Sequence, residues 1–178
     1  AGYTNLSRAS DTRYHGGSDL WVVKISSSGA VQWEQCYGGN GEDMAGTIRQ
    51  TLLGDYIVLG TTTSFNNGDV KGFLGESDTW LIRISSTGTL AWQKCLGGQG
   101  EDLGYGLWLD SDNGFLVTGR IDVAPPTASP TWGFGDVLAA KLDASGTVSW
   151  LQHYGGLDED IGHSIRRLSD GRVLIAGF

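Results

Sequence analysis

The sequence predicts an all-β fold made of repeated units of four short antiparallel strands. The segment WEQCYGGNGED, which begins at Trp33, recurs as WQKCLGGQGED from Trp92 and as WLQHYGGLDED from Trp150, at spacings of 59 and 58 residues. The apolar runs between these copies are short, they are separated by glycine-containing turns, and none keeps a helical period. Self-similarity at a fixed period of this kind is typical of a repeat architecture.

The first two strand-like runs of a unit form a hairpin. The first run, Asp19–Ile25, has apolar side chains on both faces, which is typical of a strand that is covered on both sides. Its copies are residues 78–84 and 136–142. A turn that ends in Gly29 joins it to the second run, Val31–Tyr37, and glycine supplies the positive φ that a tight hairpin requires. We therefore expect these two runs to pair.

The third and fourth runs form a second hairpin. The third, residues 44–51, has a small residue at one recurring position, which is occupied by Ala45, Gly104 and Gly162. A small side chain there predicts a close approach of another backbone. The fourth run, Tyr56–Thr62, contains a recurring glycine, found as Gly2, Gly60, Gly119 and Gly177 at intervals of 58, 59 and 58 residues. A sheet is expected to run from the third run to the second run of the following unit.

These runs divide the chain into repeats. Residues 1–18 are the tail of a preceding repeat and its loop, residues 19–77 the first repeat, residues 78–135 the second, and residues 136–178 an incomplete third. Four-stranded units near this length are typical of a β-propeller, in which four to eight blades close into a ring. Three repeat lengths cannot close such a ring. We therefore predict a segment of a larger propeller, or a half that closes by association with a second copy.

The strands and turns resemble a known type of repeat. DLWVVKISSSGAVQWEQCYGGNGEDMAGTIRQT, followed by GDYIVLGTTTS, is similar to the tandem propeller-like repeats of large secreted and surface proteins of Bacteroidota. The resemblance covers nearly the whole chain. It implies a structural or adhesive scaffold that is extracellular or at the cell surface, with other repeats of the same chain or a second copy as partners. The departures are local: for example, Leu138 stands where Trp21 and Trp80 do.

Charge and hydropathy narrow the range of partners. The formal charge of −8 comes from 20 acidic and 12 basic residues, and the basic residues are scattered, so no nucleic-acid surface is expected. No apolar run approaches the roughly 18 residues that span a bilayer, so no membrane insertion is expected.

The two cysteines are predicted to be free and buried. Cys36 and Cys95 hold the same repeat position, and His153 takes that place in the third copy. Equivalent positions in stacked sheets lie about 10 Å apart, which exceeds the Cα separation that a disulfide tolerates.

Ligand binding is predicted where the copies differ. The connection from the fourth run back to the first varies between units, and variable loops on a fixed scaffold carry specificity. Aromatic residues that do not recur, or that lie in these loops, are candidates for a surface that binds glycan or protein. They are Trp108, Trp132, Phe134, Phe65, Phe73 and Tyr14.

The repeated acids are predicted to be structural. Asp43, Asp102 and Asp160 end the recurring segment, and Asp in such turns accepts backbone N–H bonds. The alternative is a Ca²⁺ ligand at each repeat edge. A loop Ca²⁺ site formed by Asn66, Asp69 and Asp78 is a second candidate, and no other cofactor is indicated.

No catalytic motif stands above the repeat pattern, so we predict a non-enzymatic binding scaffold. Two alternatives stay open. One is a carbohydrate-active propeller enzyme with paired carboxylates; the other is a purely architectural repeat of a filament.

Overall fold

The computed structural model describes residues 1–4, 14–122 and 133–178, and within these ranges it contains thirteen strands and no helix. The prediction of an all-β chain is therefore confirmed for the described residues. The strands are β1 (Gly2–Thr4), β2 (Asp19–Ile25), β3 (Val31–Tyr37), β4 (Asp43–Gln50), β5 (Tyr56–Thr62), β6 (Asp78–Ile84), β7 (Leu90–Leu96), β8 (Leu103–Leu109), β9 (Phe115–Ile121), β10 (Asp136–Leu142), β11 (Val148–Tyr154), β12 (Gly162–Arg167) and β13 (Val173–Gly177). A helix long and apolar enough to cross a membrane is not found in these ranges.

The strands form four sheets of consecutive antiparallel neighbours. Two are complete four-stranded sheets, β4-β5-β6-β7 and β8-β9-β10-β11. The chain also contributes a three-stranded sheet, β1-β2-β3, and a two-stranded sheet, β12-β13. Each complete sheet takes two strands from one sequence repeat and two from the next, as the order of the runs predicted. Among the described strands no sheet closes on itself.

The sheets stack face to face and bury two apolar layers. The layer between the β1–β3 sheet and the β4–β7 sheet contains Leu20, Tyr37, Val58, Trp80 and Ile82. The layer between the β4–β7 and β8–β11 sheets contains Ile57, Leu81, Leu107, Phe115 and Leu142. Strand β6 contributes side chains to both layers, because its successive side chains point to opposite faces. The prediction that this run is covered on both sides is confirmed for β6.

The recurring tryptophans join one sheet to the next. Trp33 Nε1 donates a hydrogen bond to the Ser86 carbonyl oxygen at 3.1 Å, and the Tyr37 hydroxyl donates to the Gly88 carbonyl oxygen at 2.5 Å. Ser86 and Gly88 belong to the β6–β7 turn of the following sheet. Gly88 has a φ of 85°, and a side chain there would meet the Trp33 ring at 3.2 Å. Glycine is thus required both by the turn and by the docking of the tryptophan.

The small residues mark close backbone contacts. A Cβ at Gly60 would lie 1.9 Å from the Met44 carbonyl oxygen, in the pair β4–β5. A Cβ at Gly104 would lie 2.5 Å from the Gly60 carbonyl oxygen, which belongs to the neighbouring sheet. The predicted close approach is therefore confirmed, and it brings the first strand of each sheet against the sheet before it.

Candidate functional site

The first strands of three successive sheets, β4, β8 and β12, lie side by side, because β8 contacts both of the others. Each carries a β-bulge at the same place, between Ala45 and Thr47, between Gly104 and Gly106, and between Gly162 and Ser164. A bulge leaves one residue without a cross-strand partner and re-aims its side chain. The bulge residues are Gly46, Tyr105 and His163.

These strands line an open cavity of about 530 Å³, which we call the edge-strand groove. Its walls come from three repeat-equivalent positions. They are the bulge position (Gly46, Tyr105, His163), the next position (Thr47, Gly106, Ser164) and a third position two residues further on (Arg49, Trp108, Arg166). Between the last two, Leu107 and Ile165 are buried and border the groove, together with Leu174 and Ala176 of β13, whereas Ile48 packs against the apolar layer behind β4. The groove volume lies within the range of small-molecule sites.

Aromatic rings line much of the groove. The Tyr105 and His163 rings have centroids 5.1 Å apart, and those of His163 and Phe178 are 5.5 Å apart. The Arg166 guanidinium lies over the Trp108 ring, 5.1 Å from its centroid. The pKa of Tyr105 is raised, first by burial and then by the nearby carboxylates of Glu101 and Glu159.

The predicted aromatic candidates occupy different surroundings. Phe65 and Phe73 form an edge-to-face pair with centroids 5.9 Å apart in the connection from β5 to β6. Phe134 is exposed in the turn before β10, and the Tyr14 hydroxyl donates a hydrogen bond to the Gly17 carbonyl oxygen.

Two further outcomes concern the tryptophans. Trp108 lies on strand β8, at the position that Arg49 and Arg166 hold in the adjacent copies. Trp132 lies outside the described residues. Sequence reasoning missed the groove, although aligning GTIRQ, YGLWL and HSIRR would have exposed its variable positions.

The repeated acids are turn acceptors, as the structural interpretation predicted. The carboxylates of Asp43, Asp102 and Asp160 each accept the N–H of the glycine four residues earlier, at 2.7, 2.6 and 2.7 Å. Asp43 also accepts hydrogen bonds from the hydroxyls of Ser64, at 2.8 Å, and Thr62.

A second buried carboxylate lies beside each of these acids. A Cβ at Gly38 would be 2.4 Å from Asp43 Oδ2 and 3.0 Å from Asp19 Oδ1, so the first glycine of the Gly-Gly pair leaves room for two carboxylates. The equivalent pair in the next copy is Asp78 and Asp102. Burial raises the pKa of Asp78 to about 6 and that of Asp102 to about 7, and the two charges repel each other.

The repeat position that holds Cys or His contacts the buried Asp at the start of the preceding strand. Cys36 and Cys95 are buried thiols that form no disulfide, as predicted. The Cys95 side chain hydrogen-bonds to Asp78, and burial together with that carboxylate raises the pKa of the Cys95 thiol. In the third copy, His153 Nδ1 lies 2.6 Å from Asp136 Oδ2. The exchange of Cys for His therefore keeps a polar partner for the buried Asp that begins the strand.

The candidate Ca²⁺ ligands are engaged in turns. Asn66 Oδ1 accepts the N–H groups of Gly72 and Phe73, at 2.6 and 3.1 Å. Asp69 Oδ2 accepts from the Gly38 N–H at 3.3 Å, and Asp78 Oδ2 from the Leu74 N–H at 2.9 Å. Within the described ranges, no three His, Cys, Asp or Glu side chains are grouped so that they could hold a metal ion.

By fold and site, the chain is an all-β repeat protein with stacked antiparallel sheets and a groove lined by aromatic and arginine side chains. No family model matches it. It is similar to regulatory protein FlaEY of Caulobacter vibrioides, with 28% identity over 153 residues. This match covers 76% of the chain and 16% of the relative, so the chain spans only a small part of that protein's length.

Proposed function

We propose that this chain is a β-propeller segment that works as a non-enzymatic binding scaffold. The observation that carries the proposal is the pair of apolar faces left at the two ends of the stack. The residues of both faces are exposed at the ends of the stack, whereas their repeat equivalents are buried between sheets, so the faces fit a further sheet of the same kind.

The exposed face at the β8–β11 end is identified by comparing one repeat position in two hairpins. Tyr37 is 1% exposed, whereas its equivalent in the last hairpin, Tyr154, is 58% exposed. Tyr154 and Trp150 border an open cavity of about 410 Å³ between β10–β11 and β13. In the earlier copies the tryptophan at the position of Trp150 is met by the β-turn of the following sheet. A third and a fourth strand beside β13 would bring such a turn to this place.

The face at the β1–β3 end has the complementary gap. Ile84 is fully buried in β6, whereas its equivalent Ile25 in β2 is 58% exposed. Strand β1 pairs with only the first half of β2, since its register ends at Gly2 opposite Trp21. A propeller places another sheet against this face. That sheet comes from further repeats of the same chain or from a second copy.

The burial and hydrogen bonding of the repeated Asp residues support a non-enzymatic role. Asp43 and Asp102 are fully buried and already accept turn N–H bonds, so they offer no carboxylate to a glycosidic bond. A location outside the cell or at its surface, and a role in adhesion, rest on the resemblance to Bacteroidota repeats. The similar Caulobacter protein is named a regulatory protein, and that name specifies neither a ligand nor a partner.

The mass of the chain in solution tests the proposal. We expect the 178-residue chain to associate head to tail, with two copies forming a ring of six units, and we expect Tyr154→Ser or Ile25→Ser to prevent this. Leu52→Ser is the matched control, because Leu52 is exposed in the β4–β5 turn, away from both end faces. A monomer at every concentration, with an intact strand signal in circular dichroism, would contradict the proposal.

A further inference from the structure

We propose that the edge-strand groove binds an acidic sugar, a glycan unit with one carboxylate on a largely neutral, hydroxyl-rich body. The inference rests on the proposed binding function but not on closure of a ring, because three described sheets already form the groove. Its support comes from the charge, the aromatic lining and the polarity of the two ends of the groove.

The two arginines of the groove differ from the other described arginines in their ion pairing. Arg83, Arg120, Arg167 and Arg172 each form an ion pair with Asp or Glu. Arg49 and Arg166 form none among the described residues, and both line the groove.

Their local contacts leave the guanidinium groups accessible. Arg49 Nη1 donates to the Ile48 carbonyl oxygen at 2.9 Å and to Thr47 Oγ1 at 3.0 Å, while Arg166 rests on the Trp108 ring. The side chains of Arg49 and Arg166 are exposed. In a chain of charge −8, two such arginines in one cavity indicate a site for an anion. The planar guanidinium fork suits a carboxylate, which it can bind through two parallel hydrogen bonds.

The rest of the lining suits a sugar body. Trp108 and Tyr105 offer half-buried ring surface, and the hydroxyls of Thr47 and Ser164 offer hydrogen bonds. Gly106 allows β12 to approach β8 closely, because a Cβ there would lie 2.9 Å from the His163 carbonyl oxygen. A few placed polar groups among aromatic surfaces are the usual composition of a small-ligand site.

The two ends of the groove differ in charge, and this difference limits the size of the anion that can bind. The level of Arg49, Trp108 and Arg166 is about 10 Å along the strands from the bulge level, at roughly 3.3 Å per residue. Beside the groove, on the side of Tyr105, the carboxylates of Glu101 and Glu159 act on the Tyr105 hydroxyl, although both pair with Arg120 and neither lines the groove. An extended polyanion such as nucleic acid that continued past Tyr105 would approach these carboxylates. A ligand with its single charge at the arginine level and a neutral body toward Tyr105 avoids them.

Titration calorimetry on the 178-residue chain tests the inference with three sugar probes. They are a disaccharide of one glucuronic acid and one neutral sugar, the methyl ester of that disaccharide, and a sialylated trisaccharide, so each acidic probe carries a single carboxylate. We expect at least one acidic sugar to bind and the uncharged ester to bind at least about tenfold more weakly. Arg49→Gln and Arg166→Gln should each weaken binding of the acid about tenfold. Trp108→Leu should weaken it through loss of ring surface.

Lys94→Gln is the control, since it removes one positive charge from an exposed site on β7, outside the groove. Because Arg49 and Arg166 are exposed and make no ion pair with the described residues, their variants should keep the wild-type circular dichroism spectrum.

Three results would overturn the inference: no binding of either acidic sugar, equal binding of the ester, or arginine variants that bind like the wild type. Equal affinity for inorganic phosphate or for triglutamate would overturn the sugar assignment and leave a general anion site. These titrations do not depend on self-association, so their failure would leave the proposal for the end faces untouched. A monomeric mass would likewise leave the groove intact.

Discussion

The carboxylate that closes the recurring Gly-Gly segment allows one substitution to be compared at three equivalent sites. Asp43 is fully buried and accepts three hydrogen bonds, from the Gly39 N–H and from the hydroxyls of Ser64 and Thr62. Asp102 accepts two, from the N–H groups of Gly98 and Asp122. Asp160 is half-buried, and among the described residues it accepts one hydrogen bond, from the Gly156 N–H.

Alanine at each site should therefore give a graded loss of stability. An orphaned buried donor costs roughly 1 to 3 kcal/mol, and the two hydroxyls near Asp43 can turn toward other partners. Release of a buried carboxylate returns part of this cost, because burial raises the pKa of Asp43. We expect a loss of about 3 kcal/mol for Asp43→Ala, about 2 kcal/mol for Asp102→Ala and below about 1 kcal/mol for Asp160→Ala.

Urea unfolding followed by tryptophan fluorescence measures the series. The slope of free energy against urea should stay constant, so that each shift of midpoint reports stability rather than a change of the cooperative unit. Equal losses at the three sites would refute the reasoning, because the sites share a sequence position and differ in burial and bonding. A neutral Asp43→Ala would refute it as well.

Three further outcomes follow from the buried acids, the glycines and the tryptophans. Burial raises the pKa of Asp102 to about 7, so this carboxyl group stays protonated in the folded chain at pH values where it is ionised in the unfolded chain. The free energy of unfolding should therefore fall as the pH rises from about 4 to about 7. Urea midpoints that rise over this range would be incompatible with the buried carboxylate. Gly60→Ala should cost about 3 kcal/mol or more, since a Cβ would lie 1.9 Å from a backbone oxygen, whereas Gly2→Ala at the equivalent position meets no atom within 4 Å and should be nearly neutral in the same urea assay. Trp33→Ala should cost about 3 kcal/mol and Trp150→Ala about 1 kcal/mol, because a turn of the next sheet covers only the former; equal losses by thermal unfolding would speak against the packing described.

The strands of this protein follow closely from its sequence, because each is bounded by a local signal. The β2 and β3 bounds were predicted to the residue, since apolar alternation stops at a turn with Gly29 at positive φ. The order of the strands within a sheet also followed, because strands that are consecutive in sequence are usually neighbours in a sheet. The role of the Asp in the recurring segment was predicted from turn chemistry.

The groove could not be predicted in the same way. The bulge inserts one residue into the edge strand, and no short-range pattern announces it. The repeats align Trp108 with Arg49 and Arg166, but the sequence does not show that the three side chains line one cavity. The shared environment of Cys95 and His153 was equally hidden, since only the fold brings their Asp partners across from the neighbouring strand.

The bulge has a consequence for how such an array can change over generations. Its extra residue has no cross-strand partner, so glycine, tyrosine and histidine occupy the slot in three copies without disturbing the ladder beside it. After a duplication, each copy inherits one position that is exempt from cross-strand pairing within its own sheet. Where the neighbouring sheet leaves room, as at Tyr105 and His163, mutation at this position alters the residues that the groove presents without breaking the ladder, and each added unit supplies one more such position.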